Sequence, residues 1–268
     1  MIELKENQLF DTGRNSSKGN QYKFRVNNAW YKADYMGYEG LSEYIISKLL
    51  KFSDLEDNEY VDYSLETIKY NDIVFNGCKS IDFTDGWTLI TLERLFKTYY
   101  GQSLNQIIYS TEDHEERLQT IVGMTERITG IEGFGIYMNK LMTIDALFLN
   151  EDRHTHNIAL LTDNADHYKL APIFDNGAGL MSDYTMDYPL NRDPLTMIDK
   201  VKPKTFCDSF LEQLEISEKL YGQHLRFDFK YNDVKKVIAN ADIYPNEVTT
   251  RVTDIIMHMR KTYTYLFT

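Results

Sequence analysis

The chain has 268 residues, 43% of them hydrophobic, and carries 29 Lys and Arg against 41 Asp and Glu, for a net charge of −12. That length buries a sizeable core and suits one large domain or two lobes. The acidic balance excludes a broad nonspecific footprint on nucleic acid or an anionic membrane, because phosphate binding needs clustered cations. It leaves room for a small basic cleft. Cys78 and Cys207 are the only cysteines, which gives no disulfide framework and suits a reducing compartment. The first residues, Met1-Ile2-Glu3-Leu4-Lys5-Glu6-Asn7, carry charges where a secretory signal needs an apolar core, and no apolar run approaches spanning length. A cytoplasmic protein, with no membrane partner and no direct nucleic-acid partner, is expected.

In chain order, Asn15-Ser16-Ser17-Lys18-Gly19-Asn20-Gln21 is a polar loop. Tyr22 to Val26 reads as an alternating strand, Asn27-Asn28 as its turn, and Ala29 to Asp34 as the return strand. A helix is expected over Leu41 to Phe52, with one apolar stripe of Leu41, Ile45, Leu49 and Phe52 and a second of Ile46 and Leu50. Strand-like segments follow at Tyr60 to Tyr63 and Cys78 to Phe83. From about Thr91 the pattern is mainly helical, and Gly133 to Leu149 is a helix with a broad apolar face. Ile158 to Leu161 and Tyr168 to Phe174 read as two short strands about the turn Thr162 to His167. Further helices are expected within 205–220 and 231–267. The sum is an α+β plan with a small β-rich N-lobe (1–88) and a larger helical C-lobe (89–268), a ligand lying in the cleft between them.

The densest chemistry lies at Asn150-Glu151-Asp152-Arg153-His154-Thr155-His156-Asn157 and at Ile173-Phe174-Asp175-Asn176-Gly177. A hydroxyl that attacks ATP needs a carboxylate to orient it and accept its proton, and two oxygen ligands to hold Mg²⁺ against the phosphates. Asp152, Asn157 and Asp175 are the right types in the right order for those roles. Positions 157 and 175 are symmetric about residue 166, so a hairpin there makes them approximate cross-strand neighbours at its open end. Any one of the three alone reads as an ordinary cap or turn residue. His154 and His156 raise a zinc or iron alternative, but they share a side only in extended backbone, and no third soft ligand stands near. Arg153 and His154 are expected to pack and support the loop.

Lys32 on the return strand is the residue type that pairs with nucleotide phosphates when a helical glutamate holds it. Glu43 and Glu39 share the helix face of Ile46 and Leu50, and a carboxylate on an apolar face seeks a cation. Glu43 is the choice over Glu39. The bland alternative is a solvated lysine on an edge strand. The polar loop before the first strand has neither the Walker A nor the G-x-G-x-x-G pattern. Its N–H groups can still form an anion nest, with Ser17 and Lys18 beside the phosphates.

With these residues assembled, the chain resembles the HipA-like serine/threonine kinases, bacterial proteins with a protein-kinase-like fold. The likeness rests on Asp-Arg-His-x-x-Asn at 152–157 and Pro-Ile-Phe-Asp at 172–175, with looser support from Trp30-Tyr31-Lys32 and Glu43. It implies ATP and Mg as cofactors, Asp152 as the residue that positions the acceptor hydroxyl, Asn157 and Asp175 as metal ligands, and Lys32 on the nucleotide. By register it sets the adenine-contacting hinge near Ile81, Asp82 and Phe83. Family members are silenced by phosphorylation of a serine in the phosphate loop, where Ser16 and Ser17 stand here. The implied partner is a protein phosphorylated on Ser or Thr. The chain reads as a stand-alone kinase domain without the extra N-terminal domain of full-length toxins, which leaves an antitoxin-like partner without support. Asp175-Asn176-Gly177 replaces Asp-Phe-Gly and no Ala-Pro-Glu follows, so a conventional activation loop is not expected. Two alternatives stand beside this reading: a nucleotide-binding pseudokinase or interaction module, and a lipid or small-molecule kinase.

Overall fold

Asparagine turns organise the first part of the chain. In the computed structural model, which describes residues 1–10, 21–163 and 165–268, β2 (Lys23–Val26) and β3 (Ala29–Ala33) pair with Val26 opposite Ala29. Asn27 supplies the left-handed backbone, φ 53°, that so tight a turn demands. A longer hairpin joins β4 (Tyr63–Tyr70) to β5 (Ile73–Ile81) through Asn71 and Asp72, both at positive φ. Of the short segments expected, 60–63 meets β4 only at Tyr63, and 78–83 overlaps the end of β5 from Cys78 to Ile81. With β1 (Ile2–Glu3), parallel to β4, the sheet runs β1-β4-β5-β3-β2. Ser16, Ser17 and Lys18 lie outside the described residues.

Helix α1 (Glu39–Leu50) packs on β4 and β5 and buries nearly every residue, its polar Ser42, Glu43 and Ser47 included. Its start crosses the sheet so closely that a Cβ on Gly40 would meet the Gly77 backbone at 2.6 Å. Only hydrogen atoms fit there, which fixes the depth of the helix against β5. The chain interleaves in two compact units: Met1–Asp82, Asp175–Val201 and Arg226–Thr268 form the first, Phe83–Phe174 and Lys202–Leu225 the second. The chain passes from one unit to the other after Asp82, Phe174, Val201 and Leu225. In the first unit the C-terminal segment forms α7 (Tyr231–Ile238) and α8 (Asn246–Thr262), separated by a stretch that ends in Pro245, which cannot donate to a helix. Packed rings of Phe227, Phe229 and Phe267 anchor that segment.

The second unit contains β6 (Thr88–Thr91), α2 (Leu92–Tyr100), α3 (Leu104–Ser110), α4 (His114–Thr129), α5 (Phe134–Phe148), β7 (Ala159–Thr162), β8 (Tyr168–Leu170) and α6 (Phe210–Tyr221). α5 is buried along almost its whole length and packs on α6, where Gly135 lies against the Tyr221 ring. Side chains of Thr91, Asp113 and Ser209 cap α2, α4 and α6. The strand expected over 168–174 stops at Leu170, two residues before a proline that has no N–H to give. β7 and β8 pair Leu160 with Leu170 and Leu161 with Lys169. That register is centred on residue 165, so its continuation sets Ile173, and not Asp175, opposite Asn157. The cross-strand pairing expected from symmetry about 166 is corrected by two residues.

Candidate functional site

Lys32 is the centre of a buried cluster in the first unit. Its strand pairs on both sides, with Lys23 and Cys78 as its neighbours, so it is not a solvated edge lysine. Its ammonium bonds the Glu43 carboxylate through Oε1 and donates to Asp175 Oδ1 at 2.7 Å. The Tyr63 ring lies 5.3 Å away beneath it. Burial alone would push this amine down, but Asp175 and Glu43 hold it well above the usual lysine range. Glu43 has a second bond, since its Oε2 accepts the Asn176 N–H at 2.8 Å. One carboxylate thereby ties the strand lysine to the turn after Asp175. Glu39, the other glutamate considered, instead accepts backbone N–H groups of Tyr35, Met36 and Gly37 and shapes the entry to α1.

Lys23 was not singled out from sequence. It lies directly across from Lys32, and its ammonium stands 3.6 Å from Asp175 Oδ2. Like charges opposite each other on a sheet repel, and the shared carboxylate offsets that cost. The signal lay in the alternation of β2, where Lys23 falls opposite Lys32 once Asn27-Asn28 is taken as a two-residue turn.

Asp175 has φ 61°, a conformation that few non-glycine residues adopt. The following segment is tied to α1 and its entry loop. Ser42 donates to Asn176 O at 2.9 Å, Ser182 to Gly177 O at 2.7 Å, and Tyr38 to Leu180 O at 2.8 Å. Leu180 and Met181 also sit at φ 56°, so two bulky residues are held in left-handed backbone. Arg251 of α8 donates to the Tyr38 hydroxyl and to Tyr188 O. Asp34 accepts from Gly40 N–H at 2.6 Å and from the Tyr244 hydroxyl at 2.7 Å. Desolvation, helped by Glu39, pushes its carboxyl up to about 7.

The loop from Asn150 to Asn157 lies in the second unit and is built around Arg153. Its guanidinium bonds buried Asp145 of α5 through Nε and Nη2 and donates through Nη1 to Phe174 O at 2.6 Å and Asn157 O at 3.3 Å. One side chain therefore joins α5, the end of the Asp152 loop and the residue that immediately precedes Asp175. Asp152 is accessible: Lys204 donates to its Oδ1 at 2.5 Å, and His154 Nε2 lies 3.9 Å from Oδ2. Asn157 donates its side-chain N–H to Asp152 O at 3.3 Å, which commits the nitrogen and leaves the amide oxygen as the end that can ligate. Asp175 and Asn157 each offer a hard oxygen, the donor type that suits Mg²⁺.

The His154 and His156 rings meet edge to face at 5.6 Å. Among the described residues, His114, Cys207 and Glu212 are the group of three near enough to share a metal. His114 Nδ1 and a Glu212 carboxylate oxygen already lie within hydrogen-bond distance of each other, at 2.6 Å. Ile81 ends β5 and is exposed, Asp82 is buried and paired with Arg25, and Phe83 packs with Phe174, Trp87 and Leu89 over Ala159, Leu161 and Ala171. Among the described residues, no helix is long and apolar enough to cross a membrane.

No protein-family model matches the chain, and no curated protein matches it. Among solved structures it is similar to the Helicobacter pylori proinflammatory kinase CtkA, with a TM-score of 0.61 and 16% identity over 97% of this chain and 95% of that one. It also aligns with a chain from the Shewanella oneidensis MR-1 HipA–HipB toxin–antitoxin complex with operator DNA. That alignment has a TM-score of 0.44 and 10% identity over 95% of this chain and 62% of the other. The first likeness shows the fold, which is kinase-like and α+β.

Proposed function

We propose that this protein transfers the γ-phosphoryl group of ATP to a serine or threonine hydroxyl, with a protein as acceptor. The observation that carries the proposal is the buried junction of Lys32 with Glu43 and Asp175 in a chain of kinase-like fold. A buried ammonium held by two carboxylates, one of them in strained backbone, is costly to build for stability alone.

In this reading Lys32 aligns the α- and β-phosphates, and Lys23 gives a second cation to the phosphate chain. Mg²⁺ held by Asn157 and Asp175 would neutralise charge on the β- and γ-phosphates. Asp152 orients the incoming hydroxyl. As the new O–P bond forms and the bridging P–O bond to the β-phosphate breaks, the hydroxyl proton passes to the Asp152 carboxylate and ADP leaves. Arg153 keeps the Asp152 loop in register by its bonds to Asp145 and to the backbone of Asn157 and Phe174. Ile81 and Phe83 are assigned to the adenine, and Ser17 and Lys18 to the phosphates. Ser16 or Ser17 is the proposed site of self-phosphorylation.

The test is mass spectrometry of the purified protein, alone and with casein, after incubation with ATP and Mg²⁺. Phosphoserine or phosphothreonine is expected on either chain, and its rate of appearance should fall by roughly 10²–10³ when Asp152 is Asn. Nucleotide binding with no transfer would favour a binding module, and phosphate found only on an added lipid or small-molecule alcohol would favour a kinase of that class.

A further inference from the structure

No lysine lies between Asp152 and Asn157, Arg153 is turned inward onto Asp145, and His154 stays 3.9 Å from the carboxylate. The cation that does reach it comes from a segment fifty-two positions later, Lys204, at 2.5 Å. We infer that Lys204 is a positioning residue for Asp152: it occupies Oδ1 and leaves Oδ2 to receive the acceptor hydroxyl. The inference rests on the phosphotransferase reading given above.

The neighbours of Lys204 show that this contact is built rather than incidental. Thr205 is buried and donates to Arg153 O at 2.9 Å, which fastens the segment to the Asp152 loop. Phe206 is buried, and its carbonyl accepts from Arg117 of α4 at 3.0 Å. Arg117 also bonds Thr111 O. The backbone that carries Lys204 is therefore held on two sides, while the lysine itself stays 53% exposed and Asp152 40% exposed. An exposed ion pair contributes little to folding, so a loss of turnover without a loss of stability separates positioning from packing. With Oδ1 bonded to an ammonium, the carboxylate cannot rotate freely, and orientation of that kind is worth rate rather than affinity.

The experiment compares wild type, Lys204→Ala, Lys204→Arg, Asp152→Asn and the Lys204→Ala/Asp152→Asn double variant. Phosphate incorporation into casein is followed as ATP is varied, together with thermal midpoint and affinity for a non-hydrolysable ATP analogue. Lys204→Ala is expected to lower kcat by roughly ten- to a hundredfold. Its KM for ATP, analogue affinity and midpoint should stay near wild type. Lys204→Arg should restore most of the lost rate. In the Asp152→Asn background the alanine change should cost little more, because both residues act through one carboxylate. Wild-type kcat in Lys204→Ala, no recovery with arginine, or fully multiplicative losses would each overturn the inference and leave the kinase reading standing. Absence of transfer by wild type, both to casein and to itself, would sink the kinase reading and this role with it.

Discussion

Lys32 and Asp175 are 143 residues apart in the chain, and their ammonium and carboxylate meet at 2.7 Å. Glu43 completes the junction from α1 and holds the backbone just beyond Asp175 through Asn176. β3, α1 and the Asp175 turn are thus one electrostatic unit, in which removal of any member strands the others.

Glu43 gives the sharpest stability test. Glu43→Ala leaves a buried ammonium with one fewer partner and the Asn176 N–H without its acceptor, and it is expected to cost about 3–5 kcal/mol. Glu43→Gln keeps the acceptor for Asn176 and should cost less. Urea denaturation measures both, and an alanine variant within about 1 kcal/mol of wild type would contradict this account.

Asp34 predicts a pH dependence. Its folded carboxyl sits at about 7 against an ordinary 3.8. Between those values the folded state binds the proton that the unfolded state has released, so the Asp34 contribution is fully present at low pH and falls as pH rises through the window. Asp34→Asn removes this titration. Relative to the variant, wild type should lose about 3–4 kcal/mol between pH 4 and 8, as read by thermal or urea unfolding at each pH. Parallel stability curves for the two proteins would refute the assignment.

Arg153 and Asp145 form a buried pair, with Nη2 to Oδ1 at 2.9 Å. Burial pushes the Asp145 carboxyl up, and Arg153 and Asn150 oppose that. Arg153→Met should destabilise by about 3–5 kcal/mol because it leaves the carboxylate unpaired, and adding Asp145→Leu should recover part of the loss. The cycle is run by denaturation, and strictly additive losses would argue that the pair is not coupled.

These relationships divide into those that the sequence displays and those that only three dimensions reveal. The β2–β3 turn, α1 and α5 were legible because Asn27-Asn28 and a strong helical period state them locally. Lys32 and Glu43 were legible as a pair because a glutamate on an apolar helix face needs a cation. The full β4–β5 hairpin was not: Ser64, Glu66, Thr67 and Lys69 make β4 look like a polar connection, and its burial comes from α1 and a parallel neighbour far away in sequence. The register of β7 and β8 was missed by two residues, because composition marks a turn without fixing its centre. Lys204 was invisible for a different reason: a single lysine in a loop carries no period, and only the Thr205 and Phe206 anchors give it an address.

The most direct measurement is transfer of label from γ-labelled ATP with Mg²⁺, in wild type and in Asp175→Asn. Asparagine keeps the size and an oxygen at that position while removing the charge, so the fold should persist and the label incorporated should fall by roughly 10²–10³. Equal labelling of a folded Asp175→Asn protein and wild type would contradict the central role given to that carboxylate.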